Sequence, residues 1–280
     1  MEITVGISPC PNDTFMFEAW YNKRIQETDK IKSDFTFNDI QTLNEYALHA
    51  ELDVSKLSVL AAGMVTEQYE ILPYGAALGY KNGPLIISKK KIYPDEIPHV
   101  KIGIPGFNTT AYLLTKLFFN PQQPCYEYFF NEIEEALLDN EIDAGVIIHE
   151  TRFTFQKKGL QKIVDMGEMW ESTYHLPLPL GVIAVRRSLE KEMKNKIATL
   201  MKDSVTFAFE NPNASVDFIK QHAQETADDV IRQHIHLYVN DFSKNLGSVG
   251  TKAIQQLLDA GRKLQLLPLT LSDLFFTHEG

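Results

Sequence analysis

The run Ala144-Gly145-Val146-Ile147-Ile148 constrains the fold more than any other stretch of the chain. A strand with one wet face alternates apolar and polar residues; this one is apolar throughout, so both of its faces must be covered. Sheets covered on both faces are built from βα units, and a strongly acidic helical segment lies just upstream. The chain is therefore predicted to be α/β. His149-Glu150-Thr151-Arg152 follows where the strand gives out, and ligands of open α/β sheets gather beyond the carboxyl ends of strands. An imidazole there titrates near neutral pH and suits a general base; a histidine that merely bonds a neighbouring loop is the plainer alternative.

Other strand-to-helix loops extend this reading. Residues 3–8 form a strand, and Pro9 and Pro11 hold an extended turn because each fixes its own φ. Asn12 or Asp13 is expected to cap a helix over 14–22, and Cys10, with no activating neighbour in sequence, reads as a packed cysteine. Val54-Ser55-Lys56-Leu57-Ser58 is a short strand whose lysine either holds an anionic group or lies at the surface. Past a linker at 93–98, strand 100–104 leads into Pro105-Gly106-Phe107-Asn108-Thr109-Thr110-Ala111 and an apolar helix. Free amides at a helix start suit a carboxylate or phosphate; the simpler alternative is Asn108 or Thr109 as an N-cap. Neither a P-loop nor GxGxxG is present, so a nucleotide is not indicated. Asn131, with Glu134 three residues on, reads as a capping box.

This order of βα units, linker, further βα units and return segment predicts two lobes with a cleft between them. Residues 1–91 with 178–280 make the first, discontinuous lobe and 92–177 the second, with crossings near 92–98 and 174–181. The C-terminal part is mostly helical, and Gly261 reads as a C-cap. His234 and His236 share a face only in an extended segment and lack an obvious third ligand, so no metal site is expected there. A balance of 27 basic against 37 acidic side chains, net −10, disfavours nucleic acid and anionic membranes. No apolar stretch reaches the length of a membrane span. Cys10 and Cys125 are too few and too far apart for a disulfide framework. An initiating Met that runs straight into a strand, without a leader, points to the cytoplasm.

Several segments are also familiar together. Ser8-Pro9-Cys10-Pro11-Asn12-Asp13-Thr14-Phe15, Asp53-Val54-Ser55-Lys56-Leu57-Ser58, Gly106-Phe107-Asn108-Thr109-Thr110-Ala111, Ala144-Gly145-Val146-Ile147-Ile148-His149-Glu150 and Val239-Asn240-Asp241-Phe242-Ser243 occur in order over nearly the whole chain. In them the chain resembles the 1,4-dihydroxy-6-naphthoate synthase family of the futalosine route to menaquinone. The resemblance implies a fold like the type II periplasmic binding proteins. It implies conversion of cyclic dehypoxanthine futalosine to 1,4-dihydroxy-6-naphthoate by carbon–carbon cleavage, without metal or organic cofactor. It carries substrate contacts onto Ser55, Lys56, Leu57, Thr109 and Thr110, and the proton acceptor onto His149. The implied partner is a small molecule bearing a carboxylate. Alternatives are the chorismate dehydratase of the same route, a non-catalytic solute-binding protein, and the ligand-sensing domain of a regulator.

Overall fold

Two sheets organise the protein in the computed structural model, which describes residues 2–26, 28, 31–223, 227–269 and 273–279. Met1 and Gly280, the outer bounds of the expected first lobe, lie outside the described residues. In chain order the strands are β1 (Glu2–Ile7), β2 (Lys32–Phe37), β3 (Val54–Ser58), β4 (Tyr69–Ile71), β5 (Ala77–Gly79), β6 (Leu85–Ser88), β7 (Ile102–Ile104), β8 (Cys125–Glu127), β9 (Ala144–Ile147), β10 (Gln161–Asp165) and β11 (Leu178–Arg186). The first sheet has the order β2-β1-β3-β11-β4, with β5 also paired to β11; the second has β10-β6-β9-β7-β8. β1 runs parallel to β2 and β3, and β7 to β8 and β9. The late strand β11 returns antiparallel beside β3.

Strand pairing moves the expected boundary. Leu85–Ser88 falls in the first lobe if the division is at residue 91, yet Leu85 pairs with Ile147 and Ser88 with Ala144 in the second sheet. The chain thus changes sheets at 80–84, between β5 and β6, and returns at 166–177. The Asn82-Gly83 turn is where it crosses, and 92–98 lies inside the second lobe, ending in the 3₁₀ turn Ile97–His99. The return is also more regular than expected. Asp165 caps a helix Met166–Tyr174, its Oδ1 accepting from the amides of Gly167 at 2.8 Å and Glu168 at 3.3 Å.

The two connections meet backbone to backbone. A Cβ on Gly83 would stand 2.2 Å from the Gly167 nitrogen, and one on Gly167 would stand 2.7 Å from the Gly83 nitrogen. Only glycine fits where two main chains approach this closely. Gly83→Ala is expected to destabilise the protein by about 1–3 kcal/mol, since neither neighbour is a side chain that can rotate away. A urea unfolding midpoint equal to the parent's would refute the close approach.

Three apolar clusters fill the space around the sheets. The central one joins both lobes, taking Leu57, Val182 and Ala184 from the first sheet and Ile86, Ile104 and Val146 from the second. Leu113 and Leu114 of the helix Thr110–Phe119 and Ile254 and Leu257 of the helix Gly247–Lys263 complete it. Ile3, Val5, Trp20 and Met201 pack behind the first sheet, and Ile87, Ile133, Leu137 and Ile147 behind the second. Val146 and Ile147 therefore face different clusters, which explains why the run on β9 carries no polar position.

Two of the caps expected later in the chain are absent. The helix after Asn131 is Ile133–Leu138 with Glu132 at its N-cap and no side-chain cap bond; Glu134, expected to reach back, is instead bonded by Lys158 at 2.8 Å. Gly261 is not a C-cap, because the helix runs on to Lys263. Its lack of a side chain serves packing: a Cβ there would lie 2.9 Å from Leu267 Cδ1. No described helix is long and apolar enough to cross a membrane.

Candidate active site

The ends of β1, β3 and β9 and the start of the helix Thr110–Phe119 converge on one cleft between the lobes. It is lined by Ser8, Asn12, Lys56, Thr110, His149 and His234, among others. Counted with the open solvent at its mouth, the empty space is about 650 Å³.

The floor is built by the double-proline loop. Pro11 opens the helix Pro11–Tyr21, where its missing N–H would have had no intrahelical partner. Cys10 holds the N-cap position and no side chain caps the helix, so neither Asn12 nor Asp13 plays the expected part. Asp13 turns inward instead and is fully buried. Its Oδ2 accepts from the Ser8 hydroxyl at 2.7 Å and the Ser8 amide at 3.3 Å. Its Oδ1 accepts from Asn12 Nδ2 at 2.7 Å and forms an ion pair with Lys56. Buried charges need such partners, and this carboxylate has four.

His149 sits two residues beyond β9 in a left-handed conformation, φ +59°. Its Nδ1 is 3.3 Å from Cys10 Sγ, and the Phe130 ring meets it edge-on with centroids 4.9 Å apart. Burial lowers its pKa to about 4, with Asp13 opposing the shift and Lys56 adding to it. At pH 7 the imidazole is neutral. Burial first, then the Glu150 carboxylate, pushes the Cys10 thiol well above its ordinary value, so Cys10 is protonated. That agrees with a packed cysteine, although its neighbour is the candidate base.

Sequence reasoning missed His234. It lies in a helix, Asp228–Tyr238, not in an extended segment, and the exposed His236 shares nothing with it. Its Nε2 is 3.0 Å from Asn12 Oδ1. Because Asn12 gives its amide nitrogen to Asp13, its oxygen must accept, so Nε2 carries the proton. The ring is nearly parallel to that of His149, at 13° and 6.4 Å between centroids. Burial, His149 and Lys56 hold its pKa well below the ordinary value. The available signal was the spacing Val230, His234, Tyr238, which places a histidine on the buried face of an amphipathic helix.

On the opposite wall the Thr109 hydroxyl accepts from the Tyr112 amide at 3.2 Å, the N-cap role that was the simpler expectation. Thr110 Oγ1 donates to the Leu180 carbonyl at 3.0 Å. The first intrahelical bond, from Leu113 N to Thr109 O, leaves the amides of Thr110 and Ala111 ahead of it without an intrahelical acceptor, and both residues line the cavity. Of the sequence candidates, Lys56, Thr109, Thr110 and His149 line this one cavity. Ser55 and Leu57 are not among its lining residues. They alternate with Lys56 along β3, and Leu57 packs in the central core.

Residues 3–263 match the model of a family described as menaquinone biosynthesis. The chain is 37% identical over 255 residues to a 1,4-dihydroxy-6-naphthoate synthase from Thermus thermophilus, covering 91% of this chain and 92% of that protein. It is 39% identical over 271 residues to a 1,4-dihydroxy-6-naphthoate synthase from Streptomyces coelicolor, covering 95% of each. A crystal structure of a protein from Archaeoglobus fulgidus superimposes with a TM-score of 0.88 at 32% identity, over 95% of this chain and 98% of that one. The periplasmic aliphatic sulphonate binding protein of Escherichia coli does so at 0.67 with 10% identity, over 97% and 90%. That last likeness carries the fold alone, and the fold is the two-lobed, periplasmic-binding-protein-like α/β architecture that was expected.

Proposed function

The chain belongs to the menaquinone biosynthesis family, and from that premise we propose that it is a carbon–carbon lyase converting cyclic dehypoxanthine futalosine into 1,4-dihydroxy-6-naphthoate. The observation that carries the reading is a neutral imidazole, His149, held in a walled cleft whose other side is a helix start. The substrate's benzoate-like carboxylate lies at the amides of Thr110 and Ala111, where the positive end of the helix dipole favours an anion. Lys56, already paired with Asp13, adds a hydrogen-bond donor at little net charge. Ser55 and Leu57 act through β3, which sets the position of Lys56. In the tautomer that carries its proton on Nδ1, 3.3 Å from Cys10 Sγ, His149 has the Nε2 lone pair free to take a proton next to the substrate carbonyl. The resulting enolate permits carbon–carbon cleavage, and formation of the aromatic product draws the reaction forward. Proton transfer by a positioned base is worth roughly 10²–10⁴ in rate.

Incubation of the purified protein with cyclic dehypoxanthine futalosine tests this, and the naphthoate is the expected product. Dehydration of chorismate in its place would assign the sibling activity. Ligand binding without either product would make the protein a solute binder.

The same base predicts a pH profile. The neutral imidazole is the active form, so kcat/KM falls as pH drops through the pKa of the free enzyme. That acid limb is expected near the depressed value of about 4, well below the ordinary ~6.5. A benzoate-type carboxyl titrates in the same range, so binding of an inert aromatic carboxylate over the same pH values separates the two. A limb at 6–7 would point to another group.

A further inference from the structure

Four ligand-type side chains from three separate segments converge beside the cleft. Cys10 comes from the loop after β1, His149 and Glu150 from the end of β9, and His234 from the helix Asp228–Tyr238. One donor atom from each of Cys10, His149 and Glu150 lies within 4.8 Å of the other two. His234 is 1% exposed, and its Nδ1 has no hydrogen-bond partner among the described residues. Its Nε2–H is committed to Asn12, so Nδ1 presents a lone pair. That lone pair stands 3.9 Å from Glu150 Oε2, which is beyond hydrogen-bond reach. A buried imidazole lone pair with no hydrogen-bond partner among the described residues is satisfied by a cation beside it.

We infer that Cys10, His149, Glu150 and His234 form a site for a thiophilic divalent ion of the zinc class, whose occupation switches off the base. The donor set of one sulfur, two imidazole nitrogens and one carboxylate oxygen is of the kind zinc takes. Tetrahedral zinc with these ligands places donor atoms about 3.3–3.7 Å apart. The 3.3 Å from Cys10 Sγ to His149 Nδ1 and the 3.9 Å from His234 Nδ1 to Glu150 Oε2 are near two of those six edges, and the ion draws the His234 ring toward the cluster of Cys10, His149 and Glu150. Asn12 supplies the outer support that metal-bound histidines share, a carbonyl oxygen accepting the other ring N–H. Charge also balances. The incoming ion displaces the Cys10 proton to solvent, and a dication with one thiolate, one carboxylate and two neutral imidazoles is neutral overall. Bound at Nδ1 of His149, the metal moves the ring proton to Nε2. The lone pair assigned to proton abstraction is then gone. This inhibitory consequence rests on the reading of His149 as the base; the metal site itself does not.

Cobalt(II) reports on the site directly, because a thiolate ligand gives a ligand-to-metal charge-transfer band in the near ultraviolet. The chelator-treated protein is expected to bind one cobalt per chain with that band. The band should persist in Cys125→Ser, disappear in Cys10→Ser, and need about 10-fold or more metal in His234→Gln. Absence of the band from the parent protein, or its survival in Cys10→Ser, overturns the site without relying on any variant's activity. One equivalent of zinc should abolish naphthoate formation, and chelator should restore it. Zinc bound at Cys10 with turnover unchanged would overturn the inhibitory role and the assignment of His149 as base, while leaving the metal site standing.

Discussion

His149→Asn is expected to slow turnover by about 100-fold or more while an aromatic carboxylate still binds with near-parental affinity. Asparagine is the appropriate replacement on two counts. It is one of the few residues other than glycine that accept a left-handed backbone, which position 149 requires at φ +59°. It also retains polarity against Cys10 but cannot take up a proton at the working pH. A fall in kcat with unchanged ligand binding is the pattern of an interaction made only in the transition state. Binding is followed by fluorescence titration and turnover by naphthoate release under saturation. A folded His149→Asn protein working at the parent rate would reduce His149 to a structural residue, and the base would have to be sought among the other groups lining the cleft.

The second large effect concerns stability. Asp13→Asn and Lys56→Met each leave one half of a buried ion pair without its partner. Breaking such a pair from one side costs about 3–5 kcal/mol, because the remaining charge has neither water nor a counter-ion. Asp13→Asn additionally weakens the acceptor that holds the Ser8 hydroxyl and the Asn12 amide. The double variant removes both charges at once and is expected to recover much of the loss. Urea unfolding of the four proteins gives the coupling directly. Strict additivity of the two single losses would show that the pair is not an energetic unit.

The parts of this molecule that were legible in the sequence are those whose cause is local. The run on β9 announces two-sided burial because every residue in it is apolar, and the helix start at Thr109 follows from one hydroxyl within reach of one amide. The place of His149 and Lys56 at the cavity was legible because each lies on or just past a strand that ends at the cleft. The change of sheet at Asn82-Gly83 was harder to read. A turn dipeptide signals a reversal but does not tell whether the next strand rejoins the same sheet or enters another. The Asp13 carboxylate misled for a similar reason. A cap and a buried counter-ion look alike until the lysine from β3 is seen beside it. His234 was dismissed on spacing, and spacing holds no information about a contact with Asn12, which lies at the far end of the chain. The cluster of Cys10, His149, Glu150 and His234 is assembled by tertiary structure alone.

The touching glycines at 83 and 167 and the place of β11 bear on how the chain assembles as it is made. All the strands of the second sheet lie between those glycines, so each finds its partners within one inserted stretch. The first sheet is different. β3 has β1 beside it from the start, but its other edge pairs with β11, Val54 opposite Val185, across the whole insertion. A ribosome that has released β3 leaves that edge bare until the insertion and β11 have followed. Pairings this distant in sequence are slow to form, and open strand edges invite association with other chains. The Lys56 that pairs with Asp13 sits on that same strand. The candidate site is therefore among the last parts of the molecule to close, and a partly made chain keeps its central strand unpaired on one side until β11 has followed.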